Sequence, residues 1–295
     1  MVHHVRCPLC LSEMIAVKFK CTDHFISKEA FAIAGCGNCG FLFTQDYPDE
    51  NEISGYYESE DYISHSDTNE GLLNKLYHLI RQFMLIRKRS MIERTTELRT
   101  GSLLDIGSGT GHFAYLMKRA GWNVKAIEIN EKARLSSSES FGLDVYAPAE
   151  ISGFEKESMD CVTLWHVLEH LHYPEDYFSK IHTLLKPGGI CLVALPNSSS
   201  FDAKYYRNCW AAFDVPRHLW HFDPSSFRLF SDKSAFKIER QSVLPFDVFY
   251  ISLLSEKYKG SKFAFMQGLI RGAWFALLSL FSRSGGSSIV YILRK

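Results

Sequence analysis

Three sets of residues have the types and spacing that chemistry needs. The first is a glycine turn, Leu103-Leu104-Asp105-Ile106-Gly107-Ser108-Gly109-Thr110-Gly111. Glycines there let the main chain turn sharply and let a ligand approach the backbone with no Cβ in the way. A dinucleotide fingerprint would put its third glycine at position 112, but that residue is His112, so the pattern is G-x-G-x-G. Asp105 stands two residues before Gly107. A carboxylate there suits a ligand bearing an ammonium or sulfonium group and repels a pyrophosphate. Glu128, ending the next apolar run, could accept both hydroxyls of a ribose. The alternative is a plain tight turn with a surface glutamate.

The second set is histidine-rich. His166, Glu169 and His170 are spaced i, i+3, i+4 and would share one face of a helix. His218 and His221 lie in Pro216-Arg217-His218-Leu219-Trp220-His221-Phe222. An imidazole titrates near neutrality and suits removal of a proton from an acceptor. The plainer reading of Glu169 and His170 is that they bond a neighbouring loop and hold its shape. Tyr205, Tyr206, Trp210, Phe213 and Trp220 surround this region and could stack on a ring or simply pack. The third set is cysteine. Cys7, Cys10, Cys36 and Cys39 form two C-x-x-C pairs, each a turn that aims two thiolates at one point. Together they would complete a tetrahedral S₄ site with no open position, hence a structural one. Cys21 and His24 are rival ligands, and four ordinary thiols are the bland alternative. Cys161 and Cys191 fall in strands and read as core.

These residues need elements to hold them. From Ser102 onward strands and helices alternate: strands at 102–106, 123–129, 143–146, 161–165 and 190–195, with helices at 112–120, 131–141 and 174–185. Lys186-Pro187-Gly188-Gly189 should stop the last of these helices. Such alternation requires right-handed crossovers and a parallel sheet. Residues 236–243 and 288–293 read as two further strands. Upstream, 72–98 carries Leu72, Leu76, Leu79, Phe83 and Ile86 at helical spacing, an amphipathic helix. Residues 46–70, with Tyr56, Tyr57 and Tyr62, read as a connector.

Composition agrees with a folded protein: 46% apolar, 22% charged, and 33 basic against 33 acidic residues. Zero net charge argues against broad binding to nucleic acid. Met1 to Cys10 carries no apolar core of a secretory signal, and paired cysteines favour a metal in a reducing compartment. The expected location is therefore cytoplasmic. Phe263 to Phe281 is almost wholly apolar, but Gln267 and Arg271 interrupt it. A buried or substrate-covering helix, a peripheral contact at the inner membrane surface, and a membrane span are the three readings, with the span disfavoured by its central arginine.

Gly101 to Lys295 resembles the class I S-adenosylmethionine-dependent methyltransferases. The resemblance is carried by residues 104–111, by Glu128, by Asp160-Cys161-Val162-Thr163-Leu164-Trp165-His166-Val167-Leu168-Glu169-His170-Leu171, and by Leu184-Leu185-Lys186-Pro187-Gly188-Gly189. It implies an α/β, Rossmann-like, seven-stranded sheet with an antiparallel last strand. It implies S-adenosyl-L-methionine as cofactor, bound by Asp105, by Gly107, Ser108, Gly109, Thr110 and Gly111, by Glu128 and Ile129, and by Trp165 and His166. Ala149 and Glu150 are candidates to contact the adenine. The two cysteine pairs resemble the knuckles of a zinc ribbon, implying structural Zn2+ on Cys7, Cys10, Cys36 and Cys39. The division expected is a ribbon at 1–45, a connector and amphipathic helix at 46–99, and a methyltransferase domain at 100–295 with an apolar insertion at about 245–285.

Such ribbon-bearing chains are similar to bacterial methyltransferases of sugar, polysaccharide or polyketide-type pathways, although no additional large C-terminal domain like that of the sugar enzymes follows here. The resemblance implies transfer of a methyl group to a small-molecule acceptor, a sugar or other hydroxylated metabolite, or a lipid-linked one reached through 263–281. It makes His218 the catalytic base, with His221 and His170 next. A second reading follows a Glu-x-x-Glu-His set that holds a divalent ion in RNA 3′-end methyltransferases and resembles a motif of quinone O-methyltransferases; here His166 replaces the first Glu. A third keeps the methyltransferase fold as a scaffold for a ribbon that binds nucleic acid or a partner.

Overall fold

A computed structural model describes residues 1–57, 72–282 and 284–295, with the side chains of 72–78 left aside; Tyr62 and most of the connector lie outside the described residues. Two sheets organise the chain. The first is antiparallel, in the order β1-β2-β3-β9, from β1 (Ile15–Thr22), β2 (Ala30–Cys36), β3 (Leu42–Gln45) and β9 (Trp220–His221). Its fourth strand comes from far along the chain: Leu42 pairs with His221 and Phe43 with Trp220.

The second sheet has seven strands in the order β10-β11-β8-β7-β4-β5-β6. Its members are β4 (Ser102–Ile106), β5 (Asn123–Ile127), β6 (Asp144–Tyr146), β7 (Met159–Trp165), β8 (Leu185–Pro196), β10 (Lys237–Val243) and β11 (Ser288–Arg294). The central pairs are parallel. β11 runs antiparallel to both β8 and β10, which is the Rossmann-like methyltransferase topology. The central strands are apolar along their length because both faces are covered.

Among the bounds that differ from expectation, those of β5 and β8 have local reasons. β5 ends at Ile127, leaving Glu128 free to fold back over the glycine turn. β8 begins at Leu185, because Met159 pairs with Leu185 while Cys161 pairs with Ile190. The Lys186-Pro187-Gly188-Gly189 stretch therefore bulges out of the ladder, with Gly188 at φ 76.

Helices α1 (Leu72–Thr96), α2 (His112–Arg119), α3 (Glu131–Phe141), α4 (Pro174–Leu184), α5 (Phe201–Tyr206) and α6 (Pro224–Lys233) accompany the sheet. Between β10 and β11 come α7 (Asp247–Tyr258) and α8 (Ala264–Leu280). These two are antiparallel and pack closely because α8 presents glycine. A Cβ on Gly268 would lie 2.7 Å from the Leu253 Cα, and one on Gly272 would lie 3.0 Å from the Phe249 Cα. Among the described residues no helix is long and apolar enough to cross a membrane. One apolar core joins the two sheets: Cys7, Leu9, Phe41 and Phe43 pack in the same cluster as Leu104, Val162, Leu164 and Trp220.

Candidate active site

β4 lies between β5 and β7 and runs parallel to both, so the carboxyl ends of the three strands share one edge of the sheet. After β4 the chain turns through Gly107, Gly109 and Gly111 at φ 72, 53 and 78, a region where a side chain is strained. A Cβ on Gly107 would meet the Val167 Cγ2 at 2.3 Å, whereas Gly109 has nothing within 4 Å of its Cβ position. So one glycine is needed for packing and the other leaves backbone open to a ligand. The N–H groups of Gly107 and Ser108 both donate to the Ile127 carbonyl, at 2.7 and 3.1 Å. Glu128 spans the gap: its Oε2 accepts from the Gly109 N–H at 2.7 Å and its Oε1 from the Asn130 N–H at 2.9 Å. Ile129 beside it is exposed. Glu150 uses its side chain locally, accepting the Ala147 N–H at 2.8 Å.

Asp105 is buried under this turn and accepts a hydrogen bond from the Thr163 hydroxyl at 2.6 Å. Burial pushes its carboxyl up to about 7, against the pull of Thr163 and Lys88. Lys88 of α1 was not singled out by sequence reading. Its ammonium stands 4.3 Å from the ring centroid of Trp165 and 5.8 Å from that of Phe113, and burial lowers its pKa while Asp105 and Asp247 oppose that. Only its place among the basic residues of an amphipathic helix hinted at it. Two buried polar atoms near the glycine turn and Lys88, the Ser108 Oγ and the Trp165 Nε1, have no hydrogen-bond partner among the described residues, and such orphaned groups call for one. Glycine backbone, a buried acid, a lysine and orphaned donors together fit a zwitterionic amino-acid nucleoside.

Beyond β7 the histidines gather. His166 has φ 59, and Leu168–His170 is a single 3₁₀ turn, so the expected helix face is one tight turn. His166 Nε2 lies 3.0 Å from the Asp247 Oδ2, and its Nδ1 3.5 Å from the Glu169 Oε1. Burial works against its charge, but the two carboxylates win and raise its pKa to about 9. Glu169 is 1% exposed, and beyond this ion pair with His166 neither carboxylate oxygen accepts a hydrogen bond from the described residues. The acid, His170 and His218 place one ligand atom each within 4.8 Å of one another. His170 Nδ1 is 3.1 Å from the Arg217 carbonyl, and His218 Nδ1 is 2.8 Å from the Ala212 carbonyl. The His170 Nδ1 also lies 3.0 Å from the Tyr57 hydroxyl, and the His218 Nε2 lies 3.9 Å from the Asp214 Oδ2. Burial and the neighbouring His218 drop the His170 pKa to about 4, so that ring is neutral.

His221 faces elsewhere. It is buried in β9, with Nε2 3.0 Å from the Thr44 hydroxyl and its ring against Phe213. The same Thr44 hydroxyl lies 2.7 Å from the His218 carbonyl. Arg217 is wholly buried and bonds Asp214 at 2.6 and 3.0 Å, the Asp23 Oδ1 at 3.0 Å and the Tyr56 carbonyl at 3.1 Å. Sequence reading missed this residue, since an arginine between a proline and a histidine looks like surface. It ties the segment carrying His218 to the loop after β1.

The four cysteines come together at the far end of the first sheet. Cys7 and Cys39 sulfurs are 3.7 Å apart, and those of Cys10 and Cys36 are 3.5 Å apart. Zinc–thiolate bonds of ~2.3 Å in a tetrahedron require sulfurs about 3.8 Å apart, so the donor set fits. The Cys10 N–H points at the Cys7 sulfur and the Asn38 N–H at the Cys36 sulfur, both at 3.4 Å. The group contains neither Cys21, whose burial pushes its thiol up to about 12, nor His24, which stacks on Tyr258.

Residues 76–241, more than half of the chain, match the family described as a methyltransferase domain, and the chain belongs to that family, of the class I S-adenosylmethionine-dependent fold. Among curated proteins it is 32% identical over 105 residues to a ubiquinone biosynthesis O-methyltransferase of Ralstonia nicotianae, covering 33% of this chain and 44% of that one. It is 38% identical over 104 residues to the protein of that name from Caulobacter vibrioides, covering 32% and 41%. The chain thus spans about two fifths of the length of the curated relatives it matches. A solved SAM-dependent methyltransferase from Archaeoglobus fulgidus shares the fold, with a TM-score of 0.50 at 19% identity over 73% of this chain and 94% of that one.

Proposed function

We propose that this protein transfers a methyl group from S-adenosylmethionine to a hydroxyl of a small-molecule acceptor. What supports the reading is the placement of the open glycine turn over Asp105 next to the segment that follows β7, where Val167 packs on Gly107 and Glu169 is grouped with His170 and His218. The backbone of residues 107–111 would cradle the cofactor, Asp105 would face its ammonium, Lys88 its carboxylate and Glu128 its ribose. When bound, the cofactor supplies an electrophilic methyl on a positively charged sulfur. The chain's own work is positioning and proton handling. His218 would take the acceptor's hydroxyl proton, with the neighbouring Glu169 stabilising the imidazolium that results; His170, whose pKa burial lowers to about 4, would orient the acceptor. Cys7, Cys10, Cys36 and Cys39 would hold a structural zinc ion.

Glu169 also favours a second reading. A buried carboxylate with His170 and His218, one ligand atom of each within 4.8 Å of the others, is a ligand set for a divalent ion. Bound there, the ion would lower the pKa of an acceptor hydroxyl. The names of the curated relatives support a phenolic or quinone-type acceptor over the sugar expected from the ribbon.

Calorimetry with S-adenosylhomocysteine tests the cofactor half, and absence of any heat would sink it. Turnover of a catechol then separates the two readings. Dependence on added magnesium that vanishes in Glu169→Gln supports the ion. Ion-independent turnover that drops at least 100-fold in His218→Ala, as loss of a general base does, supports the base.

A further inference from the structure

We propose that the outer face of α8 docks this protein on an anionic membrane surface. The inner face of the helix is used: Gly268, Gly272 and Phe275 are buried, against α7 and α5. The outer face is not. Phe265, Met266, Ile270 and Trp274 are 56, 58, 64 and 53% exposed, and Leu280 and Phe281 at its end are 79 and 84% exposed. Met266, Ile270 and Trp274 recur every four residues, so they form one stripe. A contiguous apolar stripe of this kind on a folded protein marks a contact surface.

Charge identifies the occupant. Within residues 248–282 the basic residues are Lys257, Lys259, Lys262 and Arg271, and the one acidic residue is Glu256. All four cations are exposed, while Glu256 is buried and accepts the Tyr206 hydroxyl at 3.1 Å. Asp247, which opens α7, is partly buried and turned to His166, so the fully exposed charges of this helix pair are positive, in a chain whose total is zero. Lys259 and Arg271 lie over the same Tyr205 ring, at 5.0 and 4.8 Å, so their charges are grouped. A second copy meeting this face about a two-fold axis would set cations against cations. Anionic headgroups would pair with them while the stripe enters the acyl boundary. At 17 residues α8 is roughly 25 Å long, shorter than a bilayer's hydrocarbon core, so it would lie in the interface plane.

This inference extends the proposed function by placing the proposed site beside a bilayer, where a lipid-like acceptor dissolves, but it does not depend on methyl transfer. The test is sedimentation of the full chain with vesicles of phosphatidylcholine alone or mixed with phosphatidylglycerol. We expect binding to the mixed vesicles only, falling with salt. Ile270→Glu with Trp274→Glu should reduce it at least tenfold. Lys257→Glu with Lys262→Glu should also weaken it, at about fivefold for each positive charge removed. Circular dichroism would confirm that the variants fold. Wild-type protein left in the supernatant, or equal binding by either double variant, overturns the proposal. So does a dimer, seen by light scattering, that Ile270→Glu with Trp274→Glu dissociates without any vesicle binding. S-adenosylhomocysteine calorimetry on the same preparations reports separately on the cofactor site.

Discussion

Asp105 is a carboxylate held where water cannot reach it, and that gives it a measurable signature. Its pKa in the folded chain, about 7, lies above the ordinary 3.8. The folded state therefore binds the extra proton between those values, and stability falls as pH rises from about 4 to about 7, levelling off above. Asp105→Asn removes this penalty. We expect the variant to melt higher than wild type at pH 8 and to lose the advantage at pH 4. A displacement from 3.8 to about 7 corresponds to roughly 4 kcal/mol as an upper bound. Differential scanning calorimetry across pH checks the trend; an advantage that grows toward acid would contradict it. A cationic ligand group beside Asp105 should in turn expel the proton. S-adenosylhomocysteine affinity should then rise up to tenfold per pH unit from 6 toward 7 and flatten by 8, with proton release seen as a buffer-dependent calorimetric heat.

At the scale of elements, the stretch from Trp210 to Phe222 is held in place from outside itself. β9 pairs with β3, Thr44 bonds both His218 and His221, and Arg217 reaches Asp23. Asp23 also accepts the N–H groups of Phe25, Ile26 and Ser27. Burial raises the cost of its charge, but Ser27 and Arg217 outweigh that and hold the carboxyl below its ordinary value. Arg217→Met leaves Asp23 buried without its cation, a loss of about 3–5 kcal/mol. The urea midpoint should drop accordingly, and kcat should fall more than KM rises, because the displaced group is His218. An unchanged midpoint would show that water replaces the guanidinium without cost.

The molecule as a whole is two sheets around a shared core, and this links the four-cysteine group to the strands that carry the glycine turn. The cysteine knuckles contribute Cys7 and Cys36 to the cluster that includes Leu104, Leu219 and Trp220. A short segment with thiolate ligands derives much of its folding free energy from the metal. Stripping zinc should unfold the first sheet, release β9 and abolish turnover. The glycine turn and Asp105 rest on β4, β5 and β7, so S-adenosylhomocysteine should still bind, within roughly tenfold of the intact protein (~1.4 kcal/mol). Loss of both on chelation, followed by calorimetry and near-ultraviolet dichroism, would mean that the two sheets fold as one unit.

Much of this architecture was legible in the chain because its signals are local. The alternation after Ser102 dictates parallel strands, G-x-G-x-G dictates a sharp turn open to a ligand, and C-x-x-C dictates two thiolates at one point. Each depends on residues within a few positions of one another, which sequence spacing reports directly. What the tertiary structure alone decided is pairing across long separations. Lys88 meets Trp165, Asp23 meets Arg217, Thr44 meets His218, and Trp220-His221 completes a sheet begun near the first cysteines. The same folding set His218 beside Glu169 and His170 and buried His221 against Thr44 and Phe213, although the two lie three residues apart and read alike in the sequence. The distinction arises because each side chain's neighbours are set by packing between elements, and a chain read in order carries no record of which elements will touch.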